Sequence, residues 1–236
     1  MTRHRSPGQI PLSLGLQDKP GFELFVVGNN TEALHSIKSI AKGIKQTSLY
    51  VWGQPGSGVS HLLQAACVLA HDQQRAVAYV PLTEQASLDP DLLENMDSMD
   101  MVCIDDIDLV SGKPLWEQAI LYLYNRLREN KRSLLIGAHT SPQALGLQLQ
   151  DLKSRMSWDL VYHLHALDDT DKIEVLQRRA NARAFELPKE VAEYIVNRSR
   201  RGMPDLLSLL DGLELATLAE QRKLTIPFVK SYLENN

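Results

Sequence analysis

The run Leu49-Tyr50-Val51-Trp52-Gly53-Gln54-Pro55-Gly56-Ser57-Gly58-Val59-Ser60-His61 constrains this chain more than any other. An apolar strand, a glycine-rich turn and the start of a helix, in that order, make a phosphate-binding loop. The glycines permit positive φ and close backbone approach. Successive N–H groups can then converge on an anion at the positive end of the following helix. The pattern G-x-x-x-x-G-K-[ST] runs from Gly53 to Ser60 with one departure, Val59 in place of the lysine that reaches the β- and γ-phosphates. A hydrogen bond to a charged group contributes roughly 1.5–3 kcal/mol, so its loss lowers affinity by about one to two decades. The backbone of Gly53, Gln54, Pro55, Gly56, Ser57 and Gly58, with the Ser60 hydroxyl, is still expected to hold a nucleoside diphosphate, and hydrolysis should be poor. His61, in the first helical turn, is expected to pack or cap rather than catalyse.

Around this loop the pattern is α/β. Strands are expected at 49–52, 76–81, 101–104, 133–138 and 160–164, with helices at 31–45, 60–70 and 115–129. Strands alternating with helices imply a parallel sheet covered on both faces. Beyond residue 167 only helical patterns follow, at about 171–184, 188–200, 204–220 and 227–233, three of them opening with proline in the first turn. The domain reading is a tail at 1–20, an α/β domain at 21–167 and a helical domain at 168–236. The tail holds three prolines, two glycines and little periodicity, as a flexible segment does. Within it, Gln9-Ile10-Pro11-Leu12-Ser13-Leu14 alternates apolar side chains on a proline-stiffened, extended stretch. Such a segment can dock in a partner's groove or latch onto its own surface.

A net charge of −4 argues against a dedicated duplex-binding surface, which is normally basic. No apolar run approaches the roughly 18 residues of a membrane span. Cys67 and Cys103 each sit inside an apolar run, as buried thiols do. The expectation is a soluble cytoplasmic protein.

Met101-Val102-Cys103-Ile104-Asp105-Asp106 is an apolar strand ending in two acids. After a phosphate loop in βαβ order, such a strand presents a magnesium-linked carboxylate, with Ser60 as the second oxygen donor. His139 follows the fourth strand at the sheet edge that faces the ligand crevice. It can contact phosphate, position water or serve only as a solvated turn residue. Arg155, in Asp151-Leu152-Lys153-Ser154-Arg155, reads as a loop arginine, either a surface charge or one supplied in trans to a phosphoryl transfer. Arg198, Arg200 and Arg201 make a basic patch before Gly202-Met203-Pro204.

Over about 22–233 the chain resembles the AAA+ ATPases, specifically the initiator branch typified by the bacterial replication initiator DnaA. The likeness lies in Phe22, Phe25-Val26-Val27-Gly28-Asn29-Asn30, the phosphate loop, Ile104-Asp105-Asp106-Ile107, Leu152-Lys153-Ser154-Arg155 and Leu224-Thr225-Ile226-Pro227-Phe228-Val229-Lys230. It implies a three-layer P-loop sandwich with a five-stranded parallel sheet and a small all-α lid. It also implies adenine contacts at Val26 and Val27, and an arginine finger at Arg155. Gln9, Ile10, Leu12 and Leu14 resemble the sliding-clamp motif Q-L-x-L-x-L, and the chain stops where DnaA continues into a duplex-binding domain. For regulatory members of the branch these features imply ADP as ligand. The DNA-loaded clamp, the β subunit of DNA polymerase III, would be the platform and ATP-loaded DnaA the target. Three positions depart from the pattern: Val59, His139 where the first sensor is Asn or Asp, and Pro204 where the second sensor is arginine. All three bear on the γ-phosphate. An autonomous ATPase of helicase-loader type stays open, as does a homodimer.

Overall fold

A computed structural model describes residues 20–198 and 202–235. Gln9, Ile10, Leu12 and Leu14 of the tail, and Arg200 and Arg201, lie outside the described residues. The strands are β1 (Ser48–Trp52), β2 (Val77–Pro81), β3 (Met101–Asp105), β4 (Ser133–Ala138) and β5 (Leu160–His163). The helices are α1 (Thr31–Ala41), α2 (Val59–Asp72), α3 (Pro114–Glu129), α4 (Gln150–Met156), α5 (Asp169–Ala182), α6 (Lys189–Arg198), α7 (Met203–Glu220) and α8 (Ile226–Asn235). The sheet order is β2-β3-β4-β1-β5 and every pairing is parallel.

Side-chain alternation divides the sheet between two cores. Leu49, Val51, Cys103 and Leu135 pack with Ile37 and Ile40 of α1 and Leu62 and Leu63 of α2. Tyr50, Ile104, Leu134 and Ile136 face the other way, onto Ile120, Leu123 and Tyr124 of α3. A third core holds α5 to α8 together through Leu176, Ile195, Leu210, Leu213 and Val229. Arg183 at the end of α5 is paired with Asp211 and Glu214 of α7 at 2.5 and 3.0 Å. Among the described residues no helix is long and apolar enough to cross a membrane.

Two expectations need correcting. The first helix ends at Ala41 rather than 45, because the Arg75 guanidinium donates to the carbonyls of Ile40 and Ala41 at 2.6 and 2.8 Å and Gly43 turns the chain at φ +73°. Arg155 lies on a helix, not a loop: α4 is short, with only Leu152 and Met156 buried, too little periodicity to read. Two 3₁₀ stretches at Leu82–Ser87 and Pro90–Ser98 fill the interval between β2 and β3. Since Leu135 is wholly buried on a central strand, Leu135→Ala should cost about 2–5 kcal/mol. Urea titration should show a lower midpoint with an unchanged slope.

Candidate functional site

The glycine-rich turn joins β1 to α2 at the C-terminal edge of the sheet. Its first amide, on Gly53, donates to Ala138 O of β4 at 3.1 Å, and Ser57 N–H closes on Gln54 O at 2.9 Å. Gly56 and Gly58 hold φ of +86° and +96°, and Gly58 is the N-cap of α2. No side chain caps α2 and its first turn carries no acid, so the first-turn amides there are left for an anion. The Ser57 hydroxyl is buried with no hydrogen-bond partner. This cradle fits a diphosphate.

A side chain on Gly58 would meet the Phe25 ring at 2.9 Å, and one on Gly56 would meet Pro204 Cδ at 2.7 Å and Met203 Cβ at 3.0 Å. The loop is therefore clasped between the Phe25 segment and the first turn of α7, which places Pro204 against the loop tip. His61 secures the same segment: one ring nitrogen, Nε2, faces Gly21 O at 2.9 Å and the other, Nδ1, faces Arg179 of α5 at 3.3 Å. Arg178 donates to Glu23 O and Phe25 O, both at 2.9 Å. Val26 packs into the lid core while Val27 packs against the α1–α2 core, so these two positions straddle the joint between the domains. Asn30 locks that joint to the end of β5, donating to His165 O and accepting from His165 N–H at 2.8 Å.

Val59 is 6% exposed and packs in the α1–α2 core. Its Cγ1 stands 2.9 Å from where a side chain on Gly137 would begin, so it faces the sheet. Asp105 is 1% exposed. Its Oδ2 accepts from the Tyr79 hydroxyl at 2.7 Å and its Oδ1 from Asp106 N–H at 3.1 Å. Burial, then the Asp105 charge, holds the Tyr79 hydroxyl protonated far above its ordinary range. Each Asp105 oxygen accepts one of these bonds and keeps a further lone pair, so the carboxylate can still take part in holding a magnesium ion beside Ser60. His139 is engaged as well: Nε2 lies 3.0 Å from Asp106 Oδ1, and its backbone N–H donates to Asp108 at 2.7 Å. Asp106 sits in the left-handed region at φ +58°.

Arg155 stands apart from this group. Its guanidinium lies over Trp158 at 4.4 Å and over Tyr124 at 5.8 Å, with 23% of the side chain exposed. Its neighbours include Ser48, Leu49 and Leu160, at the N-terminal ends of β1 and β5, whereas the phosphate loop leaves the other end of β1. Tyr79, which donates to Asp105, Arg178, which donates to the Phe25 segment, and Glu117, which accepts from the amide that starts α4, were given no role in the sequence reading. Glu117 alone carried a signal, a charge on the apolar face of α3.

These parts define a P-loop nucleotide-binding module of the AAA+ class with a helical lid. Residues 16–163 match the family model for the bacterial DnaA ATPase domain, and residues 169–233 match that for the Hda lid domain. The chain belongs to the bacterial DnaA ATPase-domain family, as a Hda-like, DnaA-homologous protein related to regulators of replication initiation. Domain III of the Thermotoga maritima replication initiation protein DnaA superposes with a TM-score of 0.80 at 21% identity, over 92% of this chain and 96% of that one. AMPPCP-bound DnaA from Aquifex aeolicus gives 0.68 at 21%, over 85% and 67%. The Thermotoga maritima RuvB branch migration motor gives 0.67 at 17%, over 92% and 72%. At these identities the likeness is one of fold.

Burial, then repulsion from Asp105, raises the Asp106 pKa in the folded chain against the pull of His139. The folded state then binds that proton more tightly than the unfolded chain, so ionising Asp106 destabilises the fold as pH rises through the raised value. Asp106→Asn should therefore raise the melting temperature at neutral pH, and the gain should disappear toward about pH 4, the ordinary carboxylate range.

Proposed function

We propose that this protein is a nucleotide-bound adaptor that stimulates ATP hydrolysis by DnaA rather than hydrolysing ATP itself, and so restrains re-initiation. The observation that carries this reading is the separation of its two functional ends. Arg155 borders Ser48, Leu49 and Tyr50 of β1, and the phosphate loop starts after Trp52, about 7–13 Å further along the strand at about 3.3 Å per residue. An arginine so placed serves a neighbour's nucleotide better than its own. The three γ-phosphate positions point the same way: Val59 faces the core, His139 is held by Asp106, and Pro204 offers no charge.

On this reading ADP fills the cradle formed by residues 53–60, beside Val26, Val27 and Pro204, and any magnesium bound with it is held by Ser60 and Asp105. Arg155 completes the site of an ATP-loaded DnaA protomer. Gln9, Ile10, Leu12 and Leu14 tether the protein to the DNA-loaded clamp. Direct DNA binding is weak, and a homodimer is compatible with the tether.

An arginine in trans contributes about 10³–10⁵ to phosphoryl transfer. Phosphate release from DnaA, measured with clamp-loaded DNA and this protein, should fall to its unstimulated level with Arg155→Ala while clamp binding persists. Retained stimulation by that variant refutes the reading. The double change Gln9→Ala and Leu12→Ala should abolish clamp binding in a sedimentation assay without altering nucleotide content; unchanged clamp affinity removes the tether from the proposal.

A further inference from the structure

We infer that Glu117 is a positioning residue for Arg155, its carboxylate fixing where α4 begins. This rests on the trans role proposed for Arg155. Glu117 is 0% exposed, on the core-facing side of α3. It accepts from three backbone amides: Gly112 N–H at 2.7 Å, Gln148 N–H at 3.1 and 2.9 Å to its two oxygens, and Leu149 N–H at 2.8 Å. Leu149 is the N-cap of α4, and its carbonyl accepts from Lys153 N–H at 3.1 Å.

The chain between β4 and α4 has no strand or helix of its own over residues 139–149, so its path depends on where its amides find acceptors. A buried carboxylate is costly unless hydrogen-bonded, and an apolar group in such a place is often as stable or more so. What only the carboxylate provides here is two acceptor oxygens and no donor. It joins the turn after β3, through Gly112, to the first residues of α4. Glutamine could not replace it, since its amide N–H groups would face the amides of Gln148 or Leu149. From Leu149 to Arg155 the helix carries any displacement about 9 Å, at 1.5 Å per residue, and a 1 Å misplacement of a catalytic group can cost about 10²-fold in rate.

The test compares wild type, Glu117→Gln, Glu117→Asp and Arg155→Ala as full chains, with DnaA hydrolysis followed against protein concentration and hydrogen exchange followed at residues 148–156. Expected for Glu117→Gln is faster exchange at Gln148 and Leu149 and a maximal stimulated rate about 10- to 100-fold lower, with the half-saturating concentration within about twofold of wild type. Glu117→Asp keeps the charge but is one methylene shorter, so it should fall between; it carries the test if the glutamine variant does not fold. Slow exchange at Gln148 and Leu149 in the variants overturns the inference, as does a wild-type maximal rate. If Arg155→Ala itself keeps stimulation, the functional reading fails, and the exchange data still decide whether Glu117 sets α4.

Discussion

The parallel pairing of β1 between β4 and β5 is the constraint on which the molecule depends. Val51 is registered against Gly137 on one side and Tyr162 on the other, and Gly53 N–H continues the ladder onto Ala138 O. That pairing holds the phosphate loop at one end of the strand with α2 directly behind it. The same strand, at its other end, borders the Arg155 cluster. One rigid rod therefore separates the anion cradle from the cation. Glycine at 137 is part of the arrangement, because Leu63 and Val59 both close within 2.9 Å of any side chain there.

Around the cradle, charge has been replaced by packing. A P-loop lysine brings one strong contact to the phosphates; here the space against the sheet is filled by Val59, and loop geometry comes from Phe25 below Gly58 and α7 above Gly56. The acids that would serve chemistry are satisfied within the protein, Asp105 by Tyr79 and Asp106 by His139. What is left is a nest of amides at a helix start, which suits an anion.

Local patterns carried most of the fold. Short apolar runs marked the strands, glycine spacing marked the loop, and Pro204 marked the start of α7 because proline's missing N–H costs nothing in the first turn. What escaped was decided by partners distant in the chain. Arg75 ends a helix more than thirty residues before it. Tyr79 reaches Asp105 from the neighbouring strand. The carboxylate that starts α4 belongs to α3, and α4 itself has too few apolar residues to show a period. The sensor substitutions were visible as residue types, but that His139 turns to Asp106, and that Asp106 is left-handed, are announced by no local pattern.

The Arg155 guanidinium is stacked on the Trp158 indole, itself 55% exposed. A guanidinium–ring contact is worth about 0.5–1 kcal/mol when exposed and about 2 kcal/mol or more when desolvated, so with only 23% of the Arg155 side chain exposed the stacked rotamer is the favoured one. A neighbour that offers phosphate oxygens offsets the loss of that contact with charge-assisted bonds. On the proposed trans role, the indole is a rest for the arginine, holding it until a phosphate draws it away.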